Sequence, residues 1–323
     1  MIKLPRHTPA ASQSTPPETV GPGTALVKVL ESYERAGHDD ASAAWESFTA
    51  AWNWAAPLPT AVTADHDHLA TARPVPGGFS LSGAWRLPPG LRRGRWLALP
   101  LTDRREQHRG EVIEEGPDVF VVSSAVLPRS HRPHRATDGT DTYEPAFRLD
   151  EEYVPGGFAT SSGGTPLRAE NAPFLWTAVT AMALGSTRRL TDALAALPQD
   201  TTALPETPAM PAAAAATELA AALHDERLSL AMRLRPSGAS GVGPGAGPSF
   251  ADSLITPVRR ASNMVHEVVA AAYEHAAHYH RNEGRHPLVS LIESSTPVLQ
   301  CMRFAVDLLP AAGTTSTAEG PTS

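Results

Sequence analysis

The sequence predicts an α+β fold with short N-terminal helices, a central antiparallel β-barrel and a C-terminal four-helix bundle. Three observations predict it. Before residue 60, apolar residues recur at helical spacing. Between 60 and 165 that spacing gives way to short period-two runs, broken by Gly, Pro and Asp clusters. From Pro173 onward helical spacing returns in four long stretches.

Residues 1–22, rich in Pro, Ser and Thr, are expected to be a disordered tail, as are residues 311–323. The segment 23–59 should hold the short helices. The first, over 24–35, carries Leu26, Val27, Leu30 and Tyr33. The second carries Ala44, Trp45, Phe48 and Trp52, begins at Asp39 or Asp40 as N-cap, and is stopped by Pro57 and Pro59. The barrel domain, 60–165, should draw its strands from "FSLSGAWRL", "RWLALPL", "GEVIEE", "DVFVVSSAVLP" and "AFRLDEEYVP". The first two should form a hairpin across the Pro88-Pro89-Gly90 turn. The bundle, 166–310, should have helices near 173–197, 211–235, 250–282 and 287–309, joined by the low-complexity connectors "LPQDTTALPETPAMP" and "RPSGASGVGPGAGPS".

At 323 residues the chain can bury a large core, and its 41% hydrophobic content is ordinary for a globular protein. A net charge of −7 argues against a nucleic-acid surface. No apolar run reaches membrane-spanning length, and the N-terminus has no apolar signal region, so a cytoplasmic protein with no membrane partner is expected. The single Cys301 excludes an intrachain disulfide and any cysteine-cluster metal site.

Five stretches, taken in order, resemble the acyl-CoA dehydrogenase fold superfamily, and within it the flavin-dependent monooxygenase branch. They are "DDASAAWESF", "VPGGFSLSGAWRLPPG", "DGTDTYEPAFRLDEEYVP", "FLWTAVTAMALGSTRRLTDALA" and "HPLVSLIESSTPVLQCM". The resemblance implies the α-β-α order, association through the C-terminal helices and a pocket between barrel and bundle. It also implies that much of the family's N-terminal helical domain is missing. The sequence departs from the family's flavin-facing pattern. Pro88 and Pro89 occupy the hairpin turn, Glu293 and Ser294 replace an Arg-Asp pair, and the glycine-rich segment 236–249 replaces basic positions. From these departures no cofactor is expected, with FAD or FMN belonging to the alternative reading.

No Ser-His-Asp arrangement, phosphate loop or paired-carboxylate signature is present. His275 and His278 share a helix face, but two histidines with Glu274 or Glu267 read as a hydrated surface and no metal is expected. His266, Arg188, Arg189 and a buried Cys301 read as structural. By analogy with the fold, the substrate pocket should lie between the loop 139–142, the Trp85 turn and the helix from Trp176 to Thr180. Asp141 is then the candidate acid–base group, with Thr140, Thr142, Trp85, Trp176 and Thr180 binding substrate. The function expected is a diverged, flavin-free enzyme of specialised metabolism that cyclises, isomerises or dehydrates a hydrophobic biosynthetic intermediate. The alternatives are a flavin-dependent monooxygenase or dehydrogenase, and a non-catalytic subunit of a full-length relative. A homo-oligomer, or a hetero-oligomer with a relative, is expected.

Overall fold

A computed structural model describes residues 20–64, 70–88, 96–101, 116–125, 146–197, 212–235, 250–279 and 286–309. Among the described residues two helices, α1 (Leu26–Asp39) and α2 (Ala41–Ala51), precede nine short strands, and four long helices follow. Asp40 separates the first two helices in extended backbone, and its carboxylate accepts from the Ala43 N–H at 3.0 Å, the N-cap expected of it. The later helices are α3 (Ala172–Ala195), α4 (Ala212–Leu234), α5 (Phe250–Tyr279) and α6 (Pro287–Leu308). Their order and extents agree with the helical spacing of the sequence.

Helix α3 is the centre of the molecule. Every residue from Phe174 to Thr187 is buried, and α1, α4, α5 and α6 all pack against it. A helix apolar on all sides must be covered on all sides. Its apolar surface is covered within the chain.

The contact of α1 with α3 is backbone to backbone. A Cβ at Gly185 would collide with the carbonyl oxygen of Glu34, and one at Gly37 with that of Met182. Beside this crossing the Glu34 carboxylate, 6% exposed, receives Arg188 of α3 at 2.9 Å and Arg227 of α4 at 2.7 Å. His38 of α1 meets Asp192 of α3 at 3.4 Å. The Leu184-Gly185, Arg188 and Asp192 pattern is thus the face of α3 that receives α1. That is a packing role, as the sequence reading gave Arg188.

The strands are β1 (Trp52–Asn53), β2 (Val62–Thr63), β3 (Thr71–Val75), β4 (Gly78–Arg86), β5 (Trp96–Pro100), β6 (Val119–Ser123), β7 (Ala146–Pro155), β8 (Ala159–Thr160) and β9 (Thr165–Pro166). The strands fall in the region the sequence assigns to them, with closure into a barrel not confirmed. Among the described residues the strands form a four-stranded, a three-stranded and a two-stranded sheet, and no sheet closes. The expected hairpin is also reassigned. β4 pairs with β3 through a turn in which Gly77 has φ +76°, and with β7 on its other edge, whereas β5 pairs with β6. The physical reason is local: a glycine can take that left-handed turn, while Pro88 ends β4 without an N–H to extend the ladder. Residues 59–63 tie the two larger sheets together, pairing with the end of β4 on one side and with Ala98 of β5 on the other. β7 carries a bulge opposite Leu81 and Gly83. There Glu151 sits at φ +51° and its N–H donates to Ser82 Oγ at 2.9 Å. The expected strand at 110–115 lies outside the described residues.

The sheets meet the bundle at Gly156-Gly157. A Cβ at Gly157 would collide with the Pro297 carbonyl, and the Gly157 N–H donates to Gln300 Oε1 at 3.0 Å. Pro297 lies inside α6, where its missing N–H interrupts the helix ladder.

Gly185→Ala should destabilise the protein by about 1–3 kcal/mol through overpacking at the crossing. Glu34→Ala should cost about 2 kcal/mol by leaving two arginines without their acceptor. Urea unfolding followed by circular dichroism measures both, and wild-type midpoints would contradict the packing described.

Candidate functional site

Of the six site residues expected from the sequence, the structure describes three. Trp85, Trp176 and Thr180 are each fully buried. Thr140, Asp141 and Thr142 lie outside the described residues, as does the 236–249 segment.

Trp85 comes from the far end of β4. Its ring stacks on Phe147 of β7 at 5.9 Å, and its indole N–H donates to the Pro100 carbonyl at 2.9 Å. Gly83 makes room for that ring. Trp176, on α3, donates to the carbonyls of Ala305 at 3.0 Å and Leu309 at 3.1 Å. Those carbonyls end α6, so the indole closes the C-terminus of a neighbouring helix. Both tryptophans spend their one polar atom on backbone.

Thr180 differs. In α3 the hydroxyls of Thr177, Ser186, Thr187 and Thr191 all donate to carbonyls three or four residues back. The Thr180 hydroxyl, equally buried, has no partner among the described residues. A buried hydroxyl left unpaired costs about 1–3 kcal/mol, and such a group calls for a ligand or a solvent molecule to complete it. Two further orphans sit side by side where β1 leaves α2: the Asn53 side-chain oxygen and the Trp54 indole N–H.

The junction between sheet and bundle also has an aromatic wall that the sequence reading did not identify. Trp96 of β5 stacks on Phe158 at 5.3 Å, and Phe304 of α6 closes the triangle at 5.4 and 5.7 Å. The signal was the 3.6-residue spacing of α6, which puts Phe304 one turn from Gln300 and Cys301. Nothing in the sequence joins it to Trp96.

The remaining candidates take structural places. The Cys301 thiol is fully buried, and desolvation pushes it far above its ordinary range. Nδ1 of His275 faces the Ala271 carbonyl of its own helix at 2.8 Å. A disulfide-exchange reagent should therefore leave Cys301 unmodified in the native protein and react once denaturant unfolds it. Rapid native labelling would contradict its burial.

No known family profile matches the sequence, and no curated protein matches it. Solved structures do. KijD3, in complex with FMN and dTDP-3-amino-2,3,6-trideoxy-4-keto-3-methyl-D-glucose, is 17% identical, with 89% of this chain and 79% of that chain covered at a TM-score of 0.34. Butyryl-CoA dehydrogenase from Megasphaera elsdenii is 12% identical over 85% and 78% of the two chains, at 0.35. FMN-bound TdsC from Paenibacillus sp. A11-2 is 15% identical over 87% and 80%, at 0.36. The fold is similar to that of acyl-CoA dehydrogenase-like flavin enzymes. The expectation of no cofactor is corrected against the same finding: two of these three structures, KijD3 and TdsC, are solved with FMN.

Proposed function

We propose that this chain is an enzyme that oxidises or oxygenates a hydrophobic small molecule beside α3, at the junction of sheet and bundle, with a flavin as cofactor. The observation that carries the reading is the buried, unpartnered hydroxyl of Thr180, at one of the positions where the sequence expected substrate. A hydroxyl both donates and accepts, and so does the polar edge of a flavin ring, so Thr180 fits that group and would hold it. When bound, a flavin supplies the two-electron acceptor that no side chain of the protein provides. The chain's own part is orientation and exclusion of water. Trp96, Phe158 and Phe304 form an apolar wall, and Trp176 holds the end of α6 that carries Phe304. In this reading Asp141 accepts or returns the substrate proton, with Thr140 and Thr142 as hydrogen-bonding neighbours. Cyclisation, isomerisation or dehydration of the same kind of intermediate ranks behind oxidation. The exposure of Leu228 and Met232, one turn apart on α4, favours self-association through that helix over α3.

Thr180→Val tests the reading, because it removes the hydroxyl and keeps the shape. Without ligand the variant should be as stable as wild type or up to about 1 kcal/mol more so, since an orphan is lost rather than a bond. FMN or FAD at about 100 times its dissociation constant should raise wild-type stability by about 2.7 kcal/mol, and the variant's by clearly less at the same concentration. Equal flavin-induced shifts in melting temperature, or none in either protein, would overturn it.

A further inference from the structure

Helices α5 and α6 pack side by side and leave between them a groove of about 470 Å³, a volume in the range of small-molecule sites. It uses none of the residues assigned above. Its floor is apolar: Val258 and Met302 are each 1% exposed, and Val306 extends them by one turn. Its rim is polar, built at helical spacing from Arg259, Asn263 and His266 on α5 and from Arg303 and Asp307 on α6.

The charges around the rim are unequal. Arg259 reaches across the groove to Asp307 at 3.4 Å, so this arginine and the one carboxylate lining the groove offset each other. His266 Nδ1 lies 2.6 Å from the Ser262 carbonyl. A carbonyl only accepts, so Nδ1 carries the proton and donates, which leaves Nε2 with no partner among the described residues. Arg303 has no carboxylate partner among the described residues, and the contact recorded for its guanidinium is the face of Phe304 at 5.7 Å. A groove with an apolar floor and one uncompensated guanidinium at its edge is complementary to an amphipathic anion. The whole-chain charge of −7 does not oppose this, because screening confines the field of exposed charges to about 8–10 Å.

We propose that the α5–α6 groove binds a small organic anion, its carboxylate or phosphate on Arg303 and a short aliphatic chain along Val258, Met302 and Val306. Calorimetric titration of the full chain with octanoate, octyl phosphate and 1-octanol tests it, the two anions separating carboxylate from phosphate as the preferred head group. At least one anion should bind about 10-fold or more tighter than the alcohol, about 1.4 kcal/mol. Arg303→Gln should abolish that difference. Asp307→Asn, which releases Arg259, should strengthen anion binding several-fold. Both side chains are exposed, so the variants should fold. The proposal is overturned if the alcohol binds as tightly as both anions, if no probe binds saturably, or if Arg303→Gln leaves anion binding unchanged. It is also overturned if light scattering shows a second copy of the chain displacing the anions from the groove.

Discussion

The crossing of α1 over α3 is the constraint on which the rest of the molecule depends. At Gly37 and Gly185 a Cβ would collide with the facing backbone, so their bare backbones let the two helices meet directly. The close approach lets a short N-terminal helix cover one side of a helix buried on every side from Phe174 to Thr187. It also carries the Glu34 carboxylate inward, where water no longer solvates it and two arginines must. Charge and packing act together there: without the glycines the carboxylate would stand off, and without the arginines its burial would be unfavourable. Arg227 extends the same clamp to α4.

From α3 outward the architecture follows by covering what remains exposed. α5 and α6 close two more sides, with Trp176 joining α3 to the end of α6. α6 in turn receives the sheets, because Pro297 and the bare backbone of Gly157 permit an approach that any side chain would prevent. The aromatic triangle of Trp96, Phe158 and Phe304 completes that joint.

The helices were legible in the sequence because each carries its own period and its own stops. Asp40 before α2 and the Pro- and Gly-rich connectors flanking α4 are local signals with local consequences. Strand pairing is not local. Neighbours in the chain suggest joining β4 to β5, whereas β4 pairs with β3 across the turn at Gly77 and with the distant β7. β1, β2, β8 and β9, two residues each, are too short to show a period and exist only through their partners. The candidate site was partly legible. Trp85 and Trp176 were recognised as large apolar groups, but a sequence does not show where an indole N–H points. Thr180 was named with nothing to set it apart from the other hydroxyls of α3. Only the hydrogen-bond partners of those neighbours reveal that it has none.

The central claim is that the helix which organises the core also carries, in Thr180, the polar contact for a bound flavin. A high-resolution crystal structure of the protein grown with FMN tests this most directly. The account predicts a flavin within hydrogen-bonding distance of Thr180 Oγ, with the aromatic wall of Trp96, Phe158 and Phe304 on the same cleft. A Thr180 hydroxyl turned back onto the carbonyl of Trp176, with no flavin beside α3, would contradict it.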